Sequence, residues 1–120
     1  MSEGLPRGRH LILDGEVSEV LSDEALAAAM LRIVASIGMT ALAPPVLRPH
    51  PWGPSGWVML QESHMCYDYF YQRAVCVDLF SCRDFDVREA ERLIMQEFKI
   101  TMVTNRLSLE RGFAPTMERT

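Results

Sequence analysis

The chain reads as an α+β protein, a two-layer sandwich with two helices covering one face of a mostly antiparallel sheet. Three observations predict this. Two segments carry apolar residues at helical spacing, five or six short runs alternate or are β-rich, and the joins between consecutive strand-like runs are short. Their order is β-α-β-β-β-β-α-β. Two helices can cover only one side of such a sheet, so the other side is expected to meet a second copy in a homodimer.

At 120 residues the chain is expected to be a single domain spanning 1–120, large enough for a real core. Its net charge of −4 argues against nucleic acid as the main partner, because phosphate binding needs a basic surface, and suits a small cationic ligand. No apolar run approaches the ~18 residues that cross a bilayer. The N-terminus carries Glu3 and only the short apolar stretch Leu11-Ile12-Leu13, unlike a signal peptide. Cys66, Cys76 and Cys82 have no framework spacing and are read as reduced thiols of a cytoplasmic protein.

Taken in order, Arg9–Asp14 is a short strand that Gly15 is expected to end. Ser22 is the expected N-cap of a helix closing at Gly38, with Asp23 and Glu24 in its first turn and Leu26, Met30, Ile33 and Ile37 on one face. Residues 39–48 are expected as a strand that Pro44 and Pro45 confine to an edge or bulge, and 49–55 as a turn-rich loop. Strands at 56–62, 65–71 and 73–81 follow. Asp86 then caps a second amphipathic helix presenting Val87, Ala90, Leu93 or Ile94, and Phe98. A strand over 99–107 closes the fold, with a loose tail from about residue 108.

One join is unusual. Glu62-Ser63-His64 separates two strands where a hairpin would ordinarily use Asn-Gly or another glycine turn. Read with Gly8-Arg9-His10-Leu11, Gly53-Pro54-Ser55-Gly56 and Asp78-Leu79-Phe80-Ser81-Cys82, it resembles the small bacterial and archaeal S-adenosylmethionine decarboxylases. Those proteins read approximately GRHL, GVSG, ESH and DLFTC in the same order. The likeness spans roughly residues 8–100, with a fainter echo at Glu110-Arg111-Gly112.

The resemblance implies self-cleavage between Glu62 and Ser63, which turns Ser63 into a pyruvoyl group that forms a Schiff base with the substrate. It implies that Ser55 assists this processing and that Cys82 is the proton donor after carbon dioxide leaves. It implies a role in polyamine (spermidine) biosynthesis, with no metal. His64, Cys66 and Asp68 share a strand face, but neighbouring strand positions project nearly parallel and no second ligand pair accompanies them, so no metal site is expected.

Three positions depart from the pattern. Asp68 stands where members carry the histidine that helps remove a proton during processing, and an ordinary carboxylate (~3.9) is a far weaker base than imidazole (~6.5) unless burial raises it. Pro49 replaces an adenine-stacking phenylalanine, for which Trp52 or Phe70 are the candidate substitutes. Gln72 aligns with a ribose-binding glutamate. These changes leave two further readings open. One is a pyruvoyl-dependent decarboxylase of a basic amino acid such as ornithine or arginine. The other is an uncleaved homologue that binds a ligand or regulates a paralogous partner.

Overall fold

The computed structural model describes residues 7–112. Its elements follow the expected order: β1 (Arg7–Val17), α1 (Asp23–Ser36), β2 (Val46–Leu47), β3 (Ser55–Met59), β4 (Ser63–Phe70), β5 (Ala74–Ser81), α2 (Val87–Glu97) and β6 (Ile100–Gly112). The six strands form one sheet in the order β2-β3-β4-β5-β1-β6, and every neighbouring pair is antiparallel.

Both helices begin where their caps predict. The Ser22 hydroxyl accepts from the Ala25 N–H, and the Asp86 carboxylate accepts from the Glu89 N–H, each satisfying a donor the helix cannot. Past α1, Gly38 adopts a left-handed φ of 77°, as a helix stop requires. The helices bury Leu26, Ala29, Met30, Ile33, Val34, Ala90, Leu93 and Ile94 against Leu11, Leu13, Val58, Met65, Tyr67, Tyr69, Val75, Val77 and Leu79 of the sheet. Tyr67, Tyr69 and Phe98 pack edge to face, with centroids 5.5–5.9 Å apart. The Tyr69 hydroxyl donates to the Phe98 carbonyl at 2.6 Å, whereas the buried Tyr67 hydroxyl has no protein partner.

Strand alternation sends the other set of side chains to the open face. Trp57 and Met59 of β3 and Leu107 and Leu109 of β6 are exposed there, flanking His64, Cys66, Asp68, Asp78, Phe80, His10 and Ile12.

Three expectations are corrected. Gly15 does not end β1: the strand runs to Val17, and a register shift at Asp14/Gly15 absorbs the close approach of Ile100 and Met102. Only Val46–Leu47 of the 39–48 segment forms a strand, with an isolated bridge from Ala41 to Leu60 before it, because the intervening Pro44 and Pro45 cannot supply ladder N–H groups. It is an edge strand, as expected. Residues 108–112 are not a loose tail: they extend β6 against the start of β1, with Arg7 paired to Glu110. The remainder of that expected tail, 113–120, lies outside the described residues. Gly56 of β3 is held closely on both sides. A Cβ there would fall 2.9 Å from the Tyr67 hydroxyl and 3.0 Å from the Val46 carbonyl, so glycine makes room for the aromatic core and the edge strand.

Candidate functional site

The Glu62–Ser63 join is a tight β3–β4 turn in which the Leu60 N–H donates to the Ser63 carbonyl at 2.8 Å. The segment after α1 clamps it from one side. Gln61 N–H donates to the Thr40 carbonyl at 2.8 Å, Thr40 N–H donates to the Glu62 carboxylate at 3.2 Å, and Arg83 lies 3.8 Å from the same carboxylate while also donating to the Gly38 carbonyl.

On the other side stands the end of β5. The Cys82 backbone N–H donates to the Glu62 carbonyl oxygen at 2.9 Å. That carbonyl is the one Ser63 would attack, so the fold supplies a donor where negative charge would develop. Cys82 itself is exposed, so its thiol is open to a ligand. Gly8 makes this approach possible: a Cβ on it would lie 1.8 Å from the Ser81 carbonyl and 2.7 Å from the Cys82 Cα. The glycine of the first motif therefore has a physical reason, since only a residue without a side chain lets β1 run beneath the β5 terminus.

Three of the quoted motifs and the C-terminal echo meet just beside this join, on the open face. His10 Nε2–H donates to the Asp78 carboxylate at 2.8 Å. His10 and His64 both pack on the Phe80 ring, at centroid distances of 6.0 and 5.7 Å, and the Arg111 guanidinium lies 4.3 Å above the same ring. Burial holds His64 below the ordinary imidazole range, helped by nearby His10 and Arg111 and opposed by Asp78. His64 is therefore neutral at pH 7. Sequence reasoning did not assign a role to Phe80, Asp78 or Arg111. The signal was present, since these residues belong to quoted motifs, but a motif does not reveal that its members converge on one ring.

The other expected site residues gather elsewhere. Ser55 pairs with Asp68 across β3 and β4, and its hydroxyl donates to the Arg48 carbonyl. Trp52 and Phe70 flank His50, with ring centroids 5.8 and 5.4 Å from it, and the Trp52 carbonyl accepts from the Tyr71 N–H at 2.9 Å. Gln72 is exposed in the β4–β5 turn. Asp68 lies five residues along the same strand from Ser63, roughly 17 Å at ~3.4 Å per residue, and on the opposite side of the pleat. It is also exposed, at the far end of β4 from the join. Ser55 and Asp68 thus cannot act on the Ser63 of their own chain.

The remaining cysteines sit on the open face between these two clusters. Burial pushes the Cys66 and Cys76 thiols up to about 11, with nearby aspartates adding to the shift, so neither is a thiolate near neutrality. Among the described residues no three His, Cys, Asp or Glu side chains assemble into a group that could hold a metal ion.

Comparison with known proteins assigns this two-layer α+β chain to a family. The family model for S-adenosylmethionine decarboxylase matches residues 9–112, nearly the whole chain, and the chain belongs to that family. Among solved structures, the adenosylmethionine decarboxylase of Aquifex aeolicus VF5 has the same fold, with a TM-score of 0.76 at 19% identity over 92% of this chain and 94% of that one. No curated protein matches the sequence.

Proposed function

We propose that this member of the family is a pyruvoyl-dependent decarboxylase that makes its own cofactor at Ser63. The observation that carries the reading is the hydrogen bond from the Cys82 N–H to the Glu62 carbonyl, which positions and polarises the bond to be broken.

The residues support a balanced sequence of steps. Ser63 Oγ adds to the Glu62 carbonyl carbon and the peptide C–N bond breaks, leaving an ester and a free amine. A base removes the Ser63 Cα proton, the electron pair forms a Cα–Cβ double bond, and the Cβ–O bond breaks to release Glu62 as a carboxylate. Water then replaces the nitrogen, which leaves as ammonia. The resulting pyruvoyl carbonyl supplies an electron sink for decarboxylation of an amine-bearing substrate. Cys82, exposed beside the join, returns a proton to the substrate carbon.

The base for the elimination is Asp68 of a second copy. Within one chain it is too far from Ser63, and the open face leaves Trp57, Met59, Leu107 and Leu109 exposed. A homodimer packed through that face covers them and brings the far end of one β4 toward the near end of the other.

S-adenosylmethionine is the first substrate to test. A second reading, decarboxylation of ornithine or arginine, is favoured by one observation: the exposed Asp68 carboxylate faces His50, whose ring packs against Trp52 and Phe70, a setting suited to a compact cation.

The test is intact-mass spectrometry of the purified chain beside Ser63→Ala, Asp68→Ala and an equal mixture of the two variants. Cleavage of the unaltered chain into two fragments, the C-terminal one carrying the mass of pyruvoyl in place of serine, is the expected result. In the mixture, the Asp68→Ala chain is expected to regain cleavage, because its Ser63 meets an intact Asp68 from the other chain. An unaltered chain that stays whole after long incubation removes the enzymatic reading, and an uncleaved mixture removes the shared site.

A further inference from the structure

The loop before β3 places an imidazole against the residue that departs from the family pattern. His50 Nε2 lies 3.7 Å from Asp68 Oδ1. On its other side, His50 Nδ1 accepts the Trp52 backbone N–H at 3.1 Å. That bond fixes the tautomer: with Nδ1 occupied as an acceptor, the proton of the neutral ring sits on Nε2, directed at the carboxylate. The ring is held between Trp52 and Phe70, and its loop is closed by reciprocal backbone bonds between His50 and Gly53 at 3.0 and 3.2 Å. His50 is largely enclosed while Asp68 is about half exposed. A movement of under ~1 Å turns the contact into a hydrogen bond.

We infer that His50 is a positioning residue for Asp68, and that this carboxylate–imidazole pair replaces the single strand histidine expected at position 68. The inference rests on the processing reading above. His50 is not itself the base, because its only free lone pair is taken by Trp52. It orients one Asp68 oxygen through Nε2–H and leaves the other free to accept the Ser63 Cα proton of the partner copy. An exposed carboxylate without such a partner would sample several rotamers, and misplacing a reacting group by about an ångström costs on the order of 10²-fold in rate.

The experiment measures cleavage rates by intact mass for His50→Ala and His50→Gln, each made both in the unaltered chain and in an Asp68→His background. In the chain with Asp68, His50→Ala is expected to slow cleavage on the order of 10²-fold. His50→Gln, whose amide can still donate, recovers most of that loss. In the Asp68→His background the imidazole is supplied at position 68, and His50→Ala changes the rate by less than about twofold. Equal slowing in both backgrounds means that His50 only shapes its loop, and no slowing in either means that it does not act; each overturns the inference while leaving the processing reading intact.

If the unaltered chain never cleaves, the processing reading fails and the catalytic role assigned to His50 fails with it. The physical pairing then has its own readout in the NMR spectrum of the uncleaved protein. Asp68→Asn is expected to shift the His50 Nε2–H resonance where the pair exists. An unchanged resonance shows that it does not.

Discussion

The two ends of β4 differ in kind. At its start, the residues that resemble the family pattern converge: Gly8 admits the β5 terminus, Cys82 binds the Glu62 carbonyl, and His10, His64 and Arg111 surround Phe80. At its finish stand the departures, with Asp68 in the strand, His50 and Trp52 in the loop that follows Pro49, and Gln72 in the adjoining turn. The first end is built from backbone contacts that tolerate little change. The second is built from side chains, the exposed Asp68, Trp52 and Gln72 among them, where substitution costs the fold little. A chain can therefore alter the side chains at one end of β4 without disturbing the backbone contacts at the other.

The strongest way to break that contrast is Gly8→Val. Its Cβ would overlap the Ser81 carbonyl, so β1 or the β5 terminus must move, with a loss of about 3 kcal/mol or more in chemical denaturation. The Cys82–Glu62 bond is lost with it, so whatever protein still folds should not cleave. Denaturation at the unaltered midpoint would show that the Gly8 contact is not tight.

Thiol labelling sharpens the contrast next. Cys82 is exposed, whereas Cys66 and Cys76 lie partly buried with pKa values of about 11. At pH 8 the buried pair should react with a disulfide reagent on the order of 10²-fold more slowly than an ordinary exposed thiol, so one cysteine labels quickly and two lag. The same raised values fix a sign for stability. Their contribution is complete below the ordinary value of 9.0 and is lost as pH rises through about 11, so alkaline titration should destabilise the fold across that window. Three equally fast thiols at pH 8 would contradict the burial.

Phe80→Ala comes third. Removing a half-buried ring that carries contacts from two histidines and an arginine should cost about 2 kcal/mol in thermal or chemical unfolding. It also opens His64 to water. Because burial is the main cause of its depressed pKa, the His64 midpoint should rise toward the ordinary imidazole value in an NMR titration.

The sheet and both helices were legible because periodicity and caps act locally: Ser22, Asp86 and the alternation of β5 mark their elements without tertiary help. The length of β6 was not legible. Residues 108–112 are polar or isolated apolar positions, and they are strand only because β1 offers a partner edge. In the site, the motifs pointed to Glu62, Ser63 and Cys82, and those are adjacent. Ser55 and Asp68 were linked with Ser63 by the resemblance, yet the five strand residues between Ser63 and Asp68 amount to roughly 17 Å and the opposite face. A single sequence does not say which residues would meet across two copies. Nor could it show that His50, set between two prolines, folds back onto Asp68.

Trp52→Ala probes the second end with the smallest expected effect on the fold. The side chain is 62% exposed, and what it contributes to the hairpin, its carbonyl to Tyr71 and its N–H to His50, is backbone that alanine retains. Stability should stay within about 0.5 kcal/mol of the parent, and self-cleavage should continue. What should change is affinity for a cationic substrate, because a ring packed on His50, which faces Asp68, is removed, a loss of about 0.5–1 kcal/mol for an exposed cation–π contact. A rise of two- to fivefold in KM with kcat unchanged would place Trp52 in substrate binding. A fall in kcat at constant KM would instead mean that the loop carries His50 into the chemistry, and that the two ends of β4 are coupled more tightly than their separate construction implies.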